Sequence, residues 1–168
     1  MKIRKALPED AMGVAKVQVD SWRTTYKGIV SEDFLRQLSY EKRKSVIEKA
    51  ITEKITYVAE EDGEIIGFIS GGKKRLEQYE GYDGELYAIY LLQQYQKRGI
   101  GKELVNMLAK DFLKMGFKGM IVLVLEENPS KYFYESLGGV RIGKEITMIG
   151  KQRLHSFVYG WKNLSVLL

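Results

Sequence analysis

The chain has 168 residues, 45% hydrophobic and 29% charged, the composition of an ordinary globular protein with enough apolar side chains for one sizeable core. It has no cysteine and one histidine, which excludes disulfides, a thiol nucleophile, zinc–thiolate sites and a histidine-rich metal centre. The formal net charge of +5 is scattered rather than blocked; the densest cluster, Lys73-Lys74-Arg75, is short and is followed by Glu77 and Glu80. Such a surface suits an anionic small molecule better than nucleic acid.

In chain order, Lys2 to Ala6 alternates weakly and predicts a first strand. Pro8-Glu9-Asp10 opens a helix, because proline suits a first turn and acids suit a helix N-terminus. Val14, Val17, Gln18, Ser21 and Trp22 share one face of it, and Gly28 ends the region. Ser31-Glu32-Asp33 caps a short helix through Leu38. Tyr40 to Ile51 reads as a third, amphipathic helix with Val46, Ile47 and Ala50 inward. Ile55 to Glu60 and Glu64 to Ser70 are β-rich runs joined by Glu61-Asp62-Gly63, a hairpin turn. Lys73 to Gly84 is a polar loop, expected to have freedom to move. Leu86 to Leu92 is almost uninterrupted apolar, as in a strand buried on both faces. Ile100, Leu104, Met107, Leu108 and Phe112 recur at helical spacing, and Gly116 stops that helix. Met120 to Leu125 is another apolar strand, Ser130 to Leu137 a helix, and Val140 to Ile149 with Arg153 to Trp161 a hairpin about Gly150. The expected fold is α+β in a single domain, residues 1–168: a mostly antiparallel sheet with a central parallel pair, flanked by helices.

The turn between Leu92 and Ile100 carries the chemistry. Gln96-Lys97-Arg98-Gly99-Ile100-Gly101 joins an apolar strand to a helix start, where unpaired N–H groups and the helix dipole attract anions. Lys97, Arg98 and Lys102 add full charges. Glu103 stands where a Walker loop needs Ser or Thr, and Leu104 stands where a dinucleotide fingerprint needs its third glycine. An ordinary turn into a surface helix is the competing reading.

Two motifs together carry a family resemblance. The run Gln96 to Gly101 resembles the pyrophosphate loop of the GNAT N-acetyltransferase superfamily. Asn128-Pro129-Ser130-Lys131-Tyr132-Phe133-Tyr134-Glu135-Ser136-Leu137-Gly138-Gly139 resembles that superfamily's Asn…Phe-Tyr-Glu-x-Leu-Gly segment. Ser21 to Gly28 and Val158-Tyr159-Gly160-Trp161 are similar to the N-terminal helical region and last strand of a large bacterial subgroup with no assigned substrate.

The resemblance implies an acetyl-coenzyme A-dependent N-acetyltransferase whose two parallel strands splay apart around the cofactor. It implies that Ile89, Tyr90 and Leu91 hydrogen-bond the pantetheine arm, and that an N–H near Leu91 polarises the thioester. Gln96, Lys97, Arg98, Gly99, Ile100, Gly101 and Lys102 would hold the pyrophosphate. Asn128 and Tyr134 would both reach the coenzyme, Asn128 by donating to the pantetheine unless it only caps the strand end. Tyr134 stands at the family's general acid, against a packing role; a phenol with pKa ~10 is protonated at pH 7. Glu85 is the candidate base, with Asp83, His155 and a water chain as alternatives. On simple strand parity Glu85, Tyr87 and Ile89 share a face. Trp22 and Tyr26, four apart on a helix, are core residues or one wall of the acceptor site. No metal is expected.

The expected partners are a small-molecule or peptide amine, neither nucleic acid nor membrane, with a homodimer left open. A coenzyme A-binding sensor without turnover is the alternative function. The basic N-terminus is followed by no apolar stretch, and no run nears the roughly 18 residues of a membrane span, so the expected location is the cytoplasm.

Overall fold

The computed structural model describes residues 1–168. Seven strands form one sheet: β1 (Lys2–Lys5), β2 (Ile55–Glu61), β3 (Glu64–Lys73), β4 (Gly84–Leu91), β5 (Met120–Leu125), β6 (Val140–Ile149) and β7 (Gln152–Trp161). The spatial order is β1-β2-β3-β4-β5-β7-β6, and β4 with β5 is the parallel pair; every other neighbouring pair is antiparallel. The helices are α1 (Ala11–Thr25), α2 (Glu32–Gln37), α3 (Tyr40–Glu53), α4 (Ile100–Lys114) and α5 (Ser130–Ser136).

Helices cover both faces. Leu104, Val105, Leu108, Ala109 and Phe112 of α4 pack on Tyr57, Ile66, Ile69 and Leu86, and Tyr134 of α5 joins the same core with Tyr159 and Trp161. On the other face Val14, Ala15 and Val17 of α1 and Ile47 of α3 pack on Val58 and Phe68. Val46, expected inward, is 52% exposed; only Ile47 of that helix is buried. The hairpin tip β6–β7 and α2 close over the C-terminal end of the sheet on the α1 face, through Leu35, Ile149 and Tyr26.

Local signals explain the element ends. Asp62 (φ 51°) and Gly63 (φ 81°) both take the left-handed conformation that a two-residue hairpin turn requires. Ser31 accepts from the Phe34 N–H and Ser39 from the Lys42 N–H, capping α2 and α3. Asp10 accepts from the Leu7 N–H at 2.7 Å and takes a two-pronged contact from Arg4, fixing the entry to α1.

The segment between β3 and β4 is tied down rather than loose. Lys74 Nζ donates to the Tyr79 carbonyl, the Tyr79 hydroxyl donates to Glu145 of β6 at 2.6 Å, and Arg75 is bound to Glu85. Tyr79, Leu76 and Tyr82 pack with Ile121 and Val158 on the α1 face.

Candidate active site

The parallel pair is short. β4 and β5 are paired at Gly84–Met120, Glu85–Ile121 and Leu86–Val122, and beyond Leu86 the two strands part. The opening is lined by Leu86, Tyr87, Ala88, Ile89 and Tyr90 of β4 and by Val122, Leu123 and Val124 of β5, with Tyr26, Asn128, Ser130 and Tyr134 around them. Backbone groups on this edge of β4 have no neighbouring strand, which makes it a template for an extended ligand.

A bulge sets which side chains look which way. Ser70 pairs with Ala88 and Gly71 with Leu86, so Tyr87 is an extra residue in β4. Leu86 and Ile89 therefore both face α4 and its core, while Ala88 and Tyr90 pack on the α1 side. Simple parity fails here: Glu85 keeps company with Ala88 and Tyr90 on the α1 face, and Ile89 turns to the opposite one. The V thus has walls drawn from both faces of the sheet.

Three tyrosines and an asparagine meet inside it. The Tyr26 and Tyr90 hydroxyls are 3.0 Å apart, and Asn128 Nδ2 donates to the Tyr26 hydroxyl at 3.4 Å. Asn128 Oδ1 also accepts from the Ser130 N–H, so this buried side chain caps the entry to α5 and reaches the cleft together. Trp22 stacks edge-on to Tyr26 at 4.7 Å, and its buried indole N–H lies beside the Tyr90 hydroxyl without closing a full hydrogen bond. Tyr134 is buried and packed edge-on against Trp161, and it lines the opening, where its hydroxyl is bonded to no other protein group. Burial raises the pKa of Tyr134, Tyr26 and Tyr90 above the ordinary phenol value, so all three are neutral at pH 7.

The glycine turn forms an open cradle. No protein group accepts from the backbone N–H groups of Lys97 through Lys102. Lys97 (φ 61°) and Gly99 (φ 82°) are both left-handed, which curves this run of donors into a concavity at the start of α4. Lys97, Arg98 and Lys102 are exposed and none forms an ion pair. A Cβ at Gly99 would meet nothing within 4 Å, so its backbone angle is what requires glycine. At Gly101 a Cβ would stand 3.2 Å from the Phe133 ring, so that glycine lets α5 close on α4. Gln96 is exposed and folds back on its own turn, its Nε2 donating to the Leu91 carbonyl, which also takes the Ser21 hydroxyl. Leu91 thus meets a ligand only through groups other than that carbonyl.

Glu85 is 1% exposed and fully engaged. Its carboxylate accepts from the Arg75 backbone N–H at 3.0 Å and from the Arg75 guanidinium at 2.6 and 3.3 Å. Asp83 is turned away toward the Lys118 N–H, and His155 is exposed on β7. Arg75 and the cleft-lining Tyr87 were not singled out from sequence. Arg75 hides in a short basic run, and the placement of Tyr87 depends on the bulge.

Comparison with known proteins agrees with this geometry. The Acetyltransferase (GNAT) family model matches residues 18–139. The chain is 41% identical over 165 residues to the uncharacterized N-acetyltransferase YuaI of Bacillus subtilis (strain 168), covering 98% of this chain and 95% of that protein. Among solved structures, a GCN5-related N-acetyltransferase from Rhodopseudomonas palustris superimposes with a TM-score of 0.76 at 20% identity, over 95% of this chain and 93% of that one. The PaiA N-acetyltransferase of Thermoplasma acidophilum, in complex with coenzyme A, gives 0.72 at 24%, over 95% and 96%. No helix of the chain is long and apolar enough to cross a membrane.

Proposed function

The chain belongs to the GNAT family of acetyl-coenzyme A-dependent acyltransferases, and from that premise we propose that it moves an acetyl group directly onto a primary amine of a small-molecule or peptide acceptor. Residues 1–168 act as one catalytic unit, in the cytoplasm. The observation that carries this reading is the opening between β4 and β5, whose walls come from both faces of the sheet. A cofactor arm can enter along α4 and α5 while an amine enters beneath α1, so donor and acceptor meet without an enzyme nucleophile.

The residues fit the cofactor. The unpartnered N–H groups of Lys97 to Lys102, with three unpaired cations, match a pyrophosphate. The free edge at Ile89, Tyr90 and Leu91 matches an extended amide-bearing arm. Acetyl-coenzyme A supplies an activated thioester, whose carbonyl an N–H near Leu91 polarises. Tyr134 donates its proton toward the leaving sulfur. Burial strengthens its hold on that proton, and the same dry cleft raises the proton affinity of the thiolate. Asn128 serves the arm as well as the α5 entry. Trp22 and Tyr26 form the acceptor wall, and Glu85 takes the amine proton once Arg75 has left it.

Titration calorimetry with acetyl-coenzyme A, followed by a panel of amines assayed for thiol release, tests this. Binding in the micromolar range and release with at least one amine are expected. Absence of binding at millimolar cofactor refutes the assignment, and binding without release by any amine makes the protein a coenzyme A sensor.

A further inference from the structure

We propose that Glu85 and Tyr87 form a recognition site for an alkylammonium group of the acceptor, and that the Arg75 guanidinium occupies this site as a resident competitor. The proposal rests on reading the opening between β4 and β5 as the transfer cleft. It names the acceptor class: an alkylamine with no carboxylate beside the amine.

Three observations converge. The Glu85 side chain is 2% exposed, yet its ion-pair partner is a side chain 60% exposed, carried by the segment between β3 and β4. A carboxylate this deep requires a cation, and the one it has comes from the surface rather than the core. Second, the Arg75 guanidinium lies over the Tyr87 ring at 4.4 Å, with Lys54 Nζ at 4.9 Å from the same ring. A carboxylate joined to an aromatic face is the chemistry that holds ammonium and guanidinium groups. Third, Tyr87 is the bulge residue and lines the opening, while Glu85 stands two positions earlier, in the last paired stretch of β4 and β5 before they part, so Tyr87 links the carboxylate to the cleft.

Displacement is mechanically simple. Arg75 can swing into water while its backbone N–H, 3.0 Å from Glu85 Oε1, remains in place. The buried carboxylate then accepts the incoming ammonium, and Tyr87 keeps its cation. Exchange of one cation for another avoids an unpaired buried charge at either end of the process. An acceptor with a carboxylate next to its amine would set that group against Glu85. A guanidinium that merely anchors the β3–β4 segment would instead leave amine binding unaffected when removed.

The test is calorimetric titration of 1,4-diaminobutane into wild type, R75Q, R75K and the double variant R75Q/E85Q, with coenzyme A titrated into each in parallel. Removing the competitor should tighten diamine binding at least about tenfold in R75Q, one decade in Kd. Adding E85Q should abolish that gain, while coenzyme A affinity stays the same throughout. Diamine binding that is equal, weaker or absent in R75Q overturns the proposal. If R75Q does not fold, R75K decides: its ammonium lacks the two-pronged grip, so tighter diamine binding than wild type is required, and equality overturns it. The amine comparison is read without turnover. A wild type that fails to bind coenzyme A therefore refutes the acetyltransferase reading separately.

Discussion

Tyr134 shows how a single hydroxyl can be assigned a role by what it lacks. Its ring is held by Phe133, Tyr159 and Trp161, and its hydroxyl, bonded to no protein group, belongs to a residue that lines the opening between β4 and β5. A hydroxyl that faces the opening with its proton uncommitted is free to donate to a group bound there, which is the role proposed for it toward the leaving sulfur. Tyr134→Phe keeps the ring and removes that hydroxyl. We expect kcat to fall roughly 10²-fold or more, the usual contribution of a positioned acid. Coenzyme A affinity and melting temperature should stay at wild-type values, since no hydrogen bond is lost. Steady-state kinetics with an acceptor from the amine panel, beside calorimetry and thermal melts, separates this from packing. A kcat within about twofold of wild type would assign protonation to water.

The unit of strand, turn and helix from β4 to α4 was written plainly in the residues, because glycine and cation placement at a helix start is local chemistry. The distinct reasons for its two glycines were not. Gly99 is required by its φ of 82°, whereas Gly101 is favoured by a tight approach to Phe133, more than thirty positions away in the chain, where a Cβ would stand 3.2 Å from the ring. A valine at 99 meets open space but a forbidden backbone region, at a cost of about 1–3 kcal/mol. Gly99→Val should therefore relieve strain by reshaping the turn, scattering the N–H groups from Lys97 to Lys102. We expect coenzyme A binding to weaken at least about tenfold, one decade in Kd, with a cooperative thermal melt retained. Normal affinity by calorimetry would place the anion site elsewhere. The bulge at Tyr87 was invisible for the opposite reason. An extra residue arises from pairing between strands, and a run such as Leu86-Tyr87-Ala88-Ile89 reads as continuous alternation until its partner is known. The face assigned to Ile89 from parity was consequently reversed. The Lys73–Gly84 segment looked free because its anchors, Glu85 and Glu145, lie in other elements.

Across the molecule, the parted strands leave a hole in the sheet that the protein fills with tyrosine. Helix α1, strand β4 and helix α5 each contribute one, in Tyr26, Tyr90 and Tyr134, and burial raises all three pKa values. Tyr57, under α4 and hydrogen-bonded to Asp111, is pushed up to about 12, mainly by burial. The consequence for stability has a definite sign. In the unfolded chain these phenols ionise near pH ~10, while in the fold they keep their protons to higher pH. The folded state therefore binds more protons above that point, and stability falls as pH rises. The contribution is fully present below the unfolded value and is lost as pH climbs through the folded ones. Unfolding free energies from urea titrations at pH 7 to pH 11 should be flat to roughly pH 9.5, then decline by up to about 1.4 kcal/mol per pH unit for each buried tyrosine. Tyr90→Phe should make the decline shallower, because one of the shifted phenols is gone. Unchanged free energies up to pH 11 would mean that water reaches these hydroxyls freely, and the proposal of a dry transfer cleft between β4 and β5 would have to be abandoned.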